Sequence, residues 1–172
     1  GLARLEYRGY DSAGVAVAGP EGLRAVKRAG RLDNLRHALS DTPLPPAQVA
    51  IGHTRWATHG SPSDTNAHPH VSFDGRVAIV HNGIIENYRE LAQALAADGI
   101  TPISDTDSEI AAHILAQQLA AVEATAAVEA TAAVEATAAE PTTGATDSGS
   151  ALFRAMLATA NIIDGSFTLV AI

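Results

Sequence analysis

The order of hydrophobic and polar positions along the chain predicts several short strands. Two apolar runs, 15–18 and 23–27, flank the turn residues 19–22, a pattern typical of a β-hairpin. Three further apolar runs have the length of strands: 49–52, 77–80 and 166–172.

Helical periodicity occurs in four segments. Leu32, Leu35 and Leu39 recur at i, i+3 and i+7, which predicts a short amphipathic helix over 31–39. The other helices are expected from Tyr88 to a stop at Gly99, after a capping box formed by Thr106 and Glu109, and over 151–160. Because strands and helices both occur in adjacent groups, the pattern favours an α+β layered sandwich formed by one domain, residues 1–172.

A tandem repeat interrupts this pattern. Residues 121–138 are three copies of Ala-Val-Glu-Ala-Thr-Ala, followed by a stretch rich in turn residues. A six-residue period places successive valines about 240° apart around a helix, so they do not form one apolar stripe. We interpret 121–149 as a low-complexity insertion within the domain, either a solvated alanine-rich helix or a disordered segment.

The acidic composition narrows the possible partners. A net charge of -8 and a pI near 5.2 argue against nucleic acid. No apolar stretch approaches the ~20 residues that cross a bilayer, and no basic-then-apolar leader is present. The 172 residues include no cysteine, which excludes disulfides, thiolate metal sites and a cysteine nucleophile within them. A cytoplasmic protein without membrane contact is the expectation.

Both ends of the chain have the pattern of interrupted elements. Leu2, Leu5 and Tyr7 have the spacing of the last turn of an apolar helix. The β-rich run 166–172 stops without a turn signal. We therefore expect this sequence to be a piece of a longer protein.

Polar side chains concentrate in three clusters: 52–70, 81–83 and 104–109. The guanidinium of Arg55 suits a carboxylate, and Asp107, in the first turn of a helix, suits an ammonium group. Asn82 and the N–H of Gly83 are adjacent donors at an expected strand-to-helix turn, as an oxyanion hole requires. Together these residues predict a site for a small zwitterion.

Each of these residues also has an ordinary structural interpretation. Arg55 is, by residue type, more often part of a surface ion pair. Asn82-Gly83 is more often only a turn, and Asp107 would also complement the helix dipole. Trp56 is more often part of a core than of a site wall.

Five of the seven histidines, His53, His59, His68, His70 and His81, lie in or near these clusters and suggest a rival class. A metal-dependent hydrolase would use such ligands together with a carboxylate. However, Pro69 disrupts strand pairing between two of them, and no fixed metal-binding motif is present. A non-catalytic binding module is a third class, but it would not need so many polar side chains in three short turns.

Four runs of sequence resemble one enzyme family. Residues 5–14, 53–70, 81–87 and 104–107 are similar, in that order, to motifs of the glutamine–fructose-6-phosphate aminotransferases, also called glucosamine-6-phosphate synthases. The related amidotransferases for phosphoribosylamine, asparagine and glutamate share the His-Asn-Gly run at 81–83. They do not share the runs Arg8–Ser12 and Arg55–Gly60 in this form, although another class II glutamine amidotransferase stays an alternative.

The resemblance implies a fold and a reaction. The fold is the four-layer α/β/β/α sandwich of the N-terminal-nucleophile hydrolases, here incomplete at both ends. In that family an N-terminal cysteine attacks the side-chain amide of glutamine, with its own α-amino group as the base. The ammonia released passes to a separate isomerase domain, which makes glucosamine 6-phosphate from fructose 6-phosphate.

The resemblance also implies roles for particular residues, without metal or cofactor. Arg55 would bind the glutamine carboxylate and Asp107 its ammonium group, while Asn82 and Gly83 would form the oxyanion hole. The remaining roles are pocket lining by Thr58 and His59, the ammonia route at Trp56, and ordering of the site by Arg8.

This sequence departs from the family in one respect that decides its activity. The family's cysteine is expected about twenty residues before Leu2 and is not in this chain. The isomerase domain is not in it either. The chain is thus expected to be an inactive fragment of a homo-oligomeric enzyme whose substrates are glutamine and fructose 6-phosphate.

Overall fold

Among the residues that the structure, a computed structural model, describes, the chain forms two three-stranded antiparallel sheets and four α-helices. The structure describes residues 1–9, 11–56, 60–136 and 148–172; the side chains of Arg8, 130–136 and 148–150 are outside this description. The strands are β1 (Ser12–Gly19), β2 (Gly22–Ala29), β3 (Val49–Arg55), β4 (His70–Val71), β5 (Ala78–Ile85) and β6 (Gly165–Ala171). The helices are α1 (Leu32–Asp41), α2 (Tyr88–Ala97), α3 (Asp107–Ala136) and α4 (Ser148–Ala160).

The first sheet has the order β2-β1-β3. β1 and β2 form the predicted hairpin, with Gly19 opposite Gly22 across the turn. On its other side β1 pairs with β3, and this register sets Ser12 opposite Arg55. Helix α1 covers this sheet with its apolar stripe, since Leu32 and Leu35 pack with Ala13 in one buried cluster.

The second sheet has the order β4-β5-β6 and supports the larger core. Val77, Ile79 and Ile85 are fully buried and pack against α3 and α4. Leu115 from α3 and Ala155 from α4 belong to the same cluster. Small alanine side chains on both helices allow the helices to approach each other closely. Most of the buried apolar residues that the structure describes lie on this side of the molecule.

Strand β5 is longer than the sequence predicted. The apolar run 77–80 predicts a strand that ends before Asn82, with a turn at Asn82-Gly83. Instead β5 continues to Ile85, and Asn82 and Gly83 pair with Thr168 and Phe167 of β6. Tertiary pairing with β6 overrides the local turn preference, so the expected strand-to-helix turn is wrong.

The start of α3 also differs in detail. A capping box would join the Glu109 carboxylate to the N–H of Thr106. The carboxylate instead accepts hydrogen bonds from the N–H groups of Ile103 and Ser104, at 2.6–3.1 Å. The Thr106 hydroxyl lies 3.1 Å from Nε2 of His70. The helix begins where predicted, but Glu109 orders the preceding loop rather than the first turn.

The repeat continues α3 without a break through Ala136. Val122, in the first copy, packs against the larger core, whereas Val128 in the second is 69% exposed. Glu123 forms an ion pair of 2.6 Å with Arg76. Of the two interpretations of 121–149, the helical one holds for 121–136, while 137–147 lies outside the described residues.

The predicted apolar helix at the N-terminus is two short 3₁₀ turns, Leu2–Arg4 and Glu6–Arg8. Leu2 packs against the cluster under α1. Within the described part of the chain, no helix combines the length and the apolar character that crossing a membrane requires.

Candidate functional site

The three polar clusters of the sequence meet at one cavity beside β3, β5 and the start of α3. Its empty volume, counting the open mouth, is about 390 Å³. The residues that line it are His53, Arg55, Trp56, His68, His81, Asn82, Gly83, Thr106, Asp107 and Ser108. The four residues predicted for a zwitterion site, Arg55, Asn82, Gly83 and Asp107, are thus brought together, and Trp56 lies beside them.

Arg55 is the last residue of β3 and is 4% exposed. Its Nη2 donates to the carbonyl of Gly60 at 3.1 Å, and its Nη1 lies 3.8 Å from the Asp11 carboxylate. Asp11 in turn accepts a hydrogen bond of 2.8 Å from the Ser12 hydroxyl. The interpretation of Arg55 as a surface ion pair is wrong, because the guanidinium is buried at the cavity wall.

Position 83 in β5 does not tolerate a residue other than glycine. Its φ is +137°, and a Cβ there would lie 2.1 Å from the carbonyl oxygen of Ser166 in β6. Only glycine meets both conditions without strain. Together with the exposed Asn82 before it, Gly83 presents a backbone N–H and a carboxamide at the same cavity.

Asp107 is the first residue of α3 and is 4% exposed. Its Oδ2 accepts a hydrogen bond of 2.9 Å from the N–H of Ile85, at the end of β5. Its Oδ1 lies 3.4 Å from the Ser108 hydroxyl, which is 2.8 Å from Nδ1 of His81. These contacts hold the start of α3 against β5, so the carboxylate keeps a defined place in the cavity.

Three histidine rings lie in a row at the back of the site. The ring of His68 is 4.5 Å from that of His53 and 4.8 Å from that of His70, centroid to centroid. Burial lowers the pKa of His53 and, more strongly, that of His68; burial followed by the charge of Lys27 lowers the pKa of His70 to about 3. All three rings are therefore neutral at pH 7, so none of them adds positive charge beside the Arg55 guanidinium.

His68 is placed by another glycine. A Cβ on Gly14 of β1 would lie 2.2 Å from the carbonyl oxygen of His68, so the close approach requires glycine at this position. Nδ1 of His68 accepts a hydrogen bond of 3.3 Å from the N–H of His81. The run 5–14 thereby contributes to the site through the backbone of Gly14, as well as through the Asp11 carboxylate beside Arg55.

Glu109 is a buried carboxylate behind the cavity. Burial alone would raise its pKa, but contacts with His113 and with the N–H groups of Ser104 and Ile103 hold that pKa at about 2. Nε2 of His113 lies 3.5 Å from the carboxylate, and its Nδ1 accepts the N–H of Phe73. This network orders the loop 103–106 that carries Asp107.

The other predicted site residues have different outcomes. Trp56 is 61% exposed, so the interpretation as core packing is wrong. It borders both this cavity and a wider cleft, of about 1030 Å³ with its mouth, that also contacts Leu5 and Val80. Thr58, His59 and the side chain of Arg8 lie outside the described residues.

The sequence analysis missed the contacts that His53, Asp11 and Ser108 make with other residues of the site. All three lie in the motifs identified above, but the analysis did not pair them with Asn82, Arg55 and His81, because those partners are 27–44 positions away along the chain. Within the described ranges, no three His, Asp or Glu side chains are arranged to hold a metal ion. The histidines are instead bound to Asn82, Ser108, Thr106 and a backbone N–H.

Comparison with known proteins gives a consistent result. A family model described as a glutamine amidotransferase domain matches residues 31–127. The glutamine–fructose-6-phosphate aminotransferase (isomerizing) of Thermus thermophilus is 62% identical over 115 residues, 67% of this chain and 19% of that protein. The enzyme of the same name from Corynebacterium efficiens is 46% identical over all 172 residues and 24% of its own length. The chain therefore spans a quarter or less of these relatives.

Solved structures share the fold at low sequence identity. Glutamine phosphoribosylpyrophosphate amidotransferase from B. subtilis, complexed with ADP and GMP, superposes with a TM-score of 0.62 at 21% identity. A structure of the allosteric regulatory enzyme of purine biosynthesis gives 0.67, also at 21%. Each match covers 99% of this chain and 31% of the other. The likeness establishes the α+β fold with its two antiparallel sheets.

Proposed function

Since this chain belongs to the glutamine amidotransferase domain family, we propose that it binds glutamine and supports hydrolysis of the side-chain amide. One observation carries the proposal: Arg55, Asn82, Gly83 and Asp107, from three separate parts of the sequence, line one cavity. The cation of Arg55 and the anion of Asp107 match the α-carboxylate and the α-ammonium group of glutamine. The two adjacent neutral donors match the oxygen of its side-chain amide.

The charged ends of glutamine are recognised by opposite charges. The planar fork of Arg55 binds the α-carboxylate, and Asp107 binds the α-ammonium group. Both are buried at the cavity wall, where such pairs are stronger than at the surface. By resemblance to the family, we also propose that Thr58 and His59 contribute to glutamine binding, that Arg8 helps to order the site, and that Trp56 borders the path of the ammonia released.

The reaction needs stabilisation of negative charge on the amide oxygen. A nucleophile adds to the amide carbon, and the electron pair of the C=O bond moves to oxygen. Asn82 Nδ2 and the N–H of Gly83 donate hydrogen bonds to this oxyanion. The intermediate collapses with loss of ammonia to an acyl intermediate, and water then releases glutamate. The net change is glutamine and water to glutamate and ammonia.

The nucleophile is a cysteine that is not among these 172 residues. The resemblance and the names of the relatives support a longer enzyme that supplies this cysteine at its N-terminus. In that enzyme the ammonia passes to a second domain, which converts fructose 6-phosphate to glucosamine 6-phosphate. Identities of 62% and 46% favour this activity over that of the phosphoribosylpyrophosphate amidotransferases, at 21%. We propose as well that this longer enzyme is cytoplasmic and forms a homo-oligomer.

A four-layer α/β/β/α sandwich is the architecture we propose for the complete domain. Helix α1 packs on the first sheet, while α3 and α4 pack on the second. The two sheets approach each other where β3 and β5 meet, and a hydrogen bond joins His53 to Asn82 there. These contacts support helices outside two facing sheets.

Replacement of Asn82 tests the proposed function. In the full-length protein, Asn82→Ala is expected to lower kcat for glutamine hydrolysis by about 100- to 1000-fold, the usual effect of losing one such donor. KM should change little, because the donor acts on the transition state. Glutamate release under saturating glutamine is the measurement. Asn161→Ala, at an exposed turn after α4, is the matched control and should leave kcat unchanged. Unchanged hydrolysis in Asn82→Ala would refute the oxyanion assignment.

A further inference from the structure

We propose that His53 is a positioning residue that orients the Asn82 carboxamide for the oxyanion. The inference rests on the function proposed above. Nε2 of His53 lies 2.9 Å from Oδ1 of Asn82, across the gap between β3 and β5. The two side chains come from different sheets, 29 positions apart in sequence. No other hydrogen bond of the Asn82 side chain occurs within the described residues.

The chemistry of the two groups defines the direction of this hydrogen bond. A carboxamide oxygen only accepts, so the ring nitrogen facing it must donate. His53 therefore carries its proton on Nε2. Nδ1 of the same ring is buried and has no hydrogen-bond partner within the described part of the chain. A proton there would be a buried donor without an acceptor, which costs more than an unused lone pair, so the Nε2–H tautomer is favoured.

The direction of the bond determines which end of the amide faces the cavity. Oδ1 and Nδ2 of a carboxamide lie on opposite sides of Cγ, so fixing Oδ1 toward His53 points Nδ2 away from it. Asn82 lies in β5 beside Gly83, whose N–H is the second proposed donor. Without His53, rotation about the last side-chain bond would present oxygen and nitrogen alike, and an oxygen would repel the developing oxyanion.

The surroundings of His53 hold the ring in place. Its face lies against the ring of His68, 4.5 Å away between centroids, with a tilt of 32°. His68 is itself held by the N–H of His81, the residue before Asn82. The strands that carry His53 and Asn82, β3 and β5, are therefore both linked to His68. This arrangement prepares the donor before glutamine binds, which is how a preorganised site lowers the barrier.

Replacement of His53 in the full-length protein tests this role. His53→Phe keeps a ring against His68 but removes the donor. It is expected to lower kcat for glutamine hydrolysis by about tenfold, less than the loss of the Asn82 donor itself, with KM unchanged. His53→Gln places an amide N–H near the position of Nε2 and should recover most of kcat. His53→Asn places its donor near the position of Nδ1 and should not.

A double variant separates positioning from a general structural effect. In the Asn82→Ala background, His53→Phe should cause no further loss of kcat, because the amide that it orients is gone. A tenfold additional loss there, or a rise of KM with kcat unchanged, would overturn the inference. Unchanged kcat in His53→Phe would do the same. If Asn82→Ala itself had no effect, the proposed function would fail instead, so the two failures are distinguishable.

Discussion

Arg55 shows how strongly a single side chain depends on its setting. It ends a strand, is buried, and faces Asp11 on one side and the cavity on the other. The five donors of a guanidinium allow it to keep these protein contacts and still bind a carboxylate with two parallel hydrogen bonds. A lysine would supply only the charge.

Arg55→Lys is therefore expected to raise KM for glutamine about tenfold or more, the equivalent of ~1.4 kcal/mol, because a point charge does not replace the fork. Steady-state glutamate release in the full-length protein measures this. Arg154→Lys, on the exposed face of α4, is the control and should leave KM unchanged.

The same assay tests the rival class of enzyme. A glutaminase with this site should be insensitive to chelators, whereas a histidine-liganded hydrolase would lose activity and recover it with zinc. Rescue by zinc would favour the rival, and a normal KM in Arg55→Lys would remove Arg55 from the binding site.

Helix α3 combines two functions along its length. Its first turn carries Asp107 and Ser108 into the cavity, and its middle packs against β5 and α4. The repeat then prolongs the helix: Val122 in the first copy packs on the core, but Val128 in the second is exposed. The first copy of the repeat thus contributes a valine to the packed part of the helix.

Deletion of 127–138, the second and third copies, should leave kcat and KM unchanged and lower stability only slightly, because these copies have no apolar stripe. Glutamine hydrolysis and calorimetry of the full-length protein measure the two effects. Val122→Ala is the comparison: it removes a partly buried side chain and should cost about 1 kcal/mol. A large loss in the deletion variant would show that the later copies pack against another part of the enzyme.

For the molecule as a whole, buried neutral histidines make stability depend on pH. Burial, followed by the charge of Lys27, lowers the pKa of His70 from 6.5 to about 3. Below pH 6.5 the unfolded chain therefore binds a proton that the folded chain does not. Stability is expected to fall as pH falls from 6.5 toward 3, with a contribution from His70 of about 1.4 kcal/mol between pH 7.5 and 5.5.

Calorimetry of the full-length protein at these two pH values tests this. His70→Gln should show a smaller downward shift of Tm for this domain than the wild type, since it removes one titrating group. His37→Gln, at an exposed position of α1, should keep the full shift. Equal shifts in wild type and His70→Gln would show that His70 does not contribute to the pH dependence.

Residues 1–172 by themselves should release no glutamate from glutamine. The chain contains no cysteine, and the α-amino group of Gly1 has no side-chain nucleophile to activate. We also expect broad, non-cooperative melting, because the proposed complete domain has further strands to pair with these sheets. Glutamate release from the purified 172 residues, abolished by Asn82→Ala, would contradict the need for the missing cysteine.

The sequence by itself determined most elements and most of the site. The hairpin of β1 and β2, the stripe of Leu32 and Leu35, and the start of α3 are local patterns that need no tertiary information. Arg55, Asn82, Gly83 and Asp107 were identified from residue type and resemblance, and all four line the cavity. Each of these residues lies in a short, continuous motif, so it could be identified without knowledge of the fold.

The tertiary structure decided what depends on partners distant in sequence. It extended β5 through Asn82 and Gly83, because pairing with β6 outweighs the turn preference of that dipeptide. It also paired Asp11 with Arg55 and His53 with Asn82, and made His68 and His70 neutral by burying them. Hydrogen-bond partners and desolvation arise only when separate segments pack together, so residue type and periodicity do not contain them.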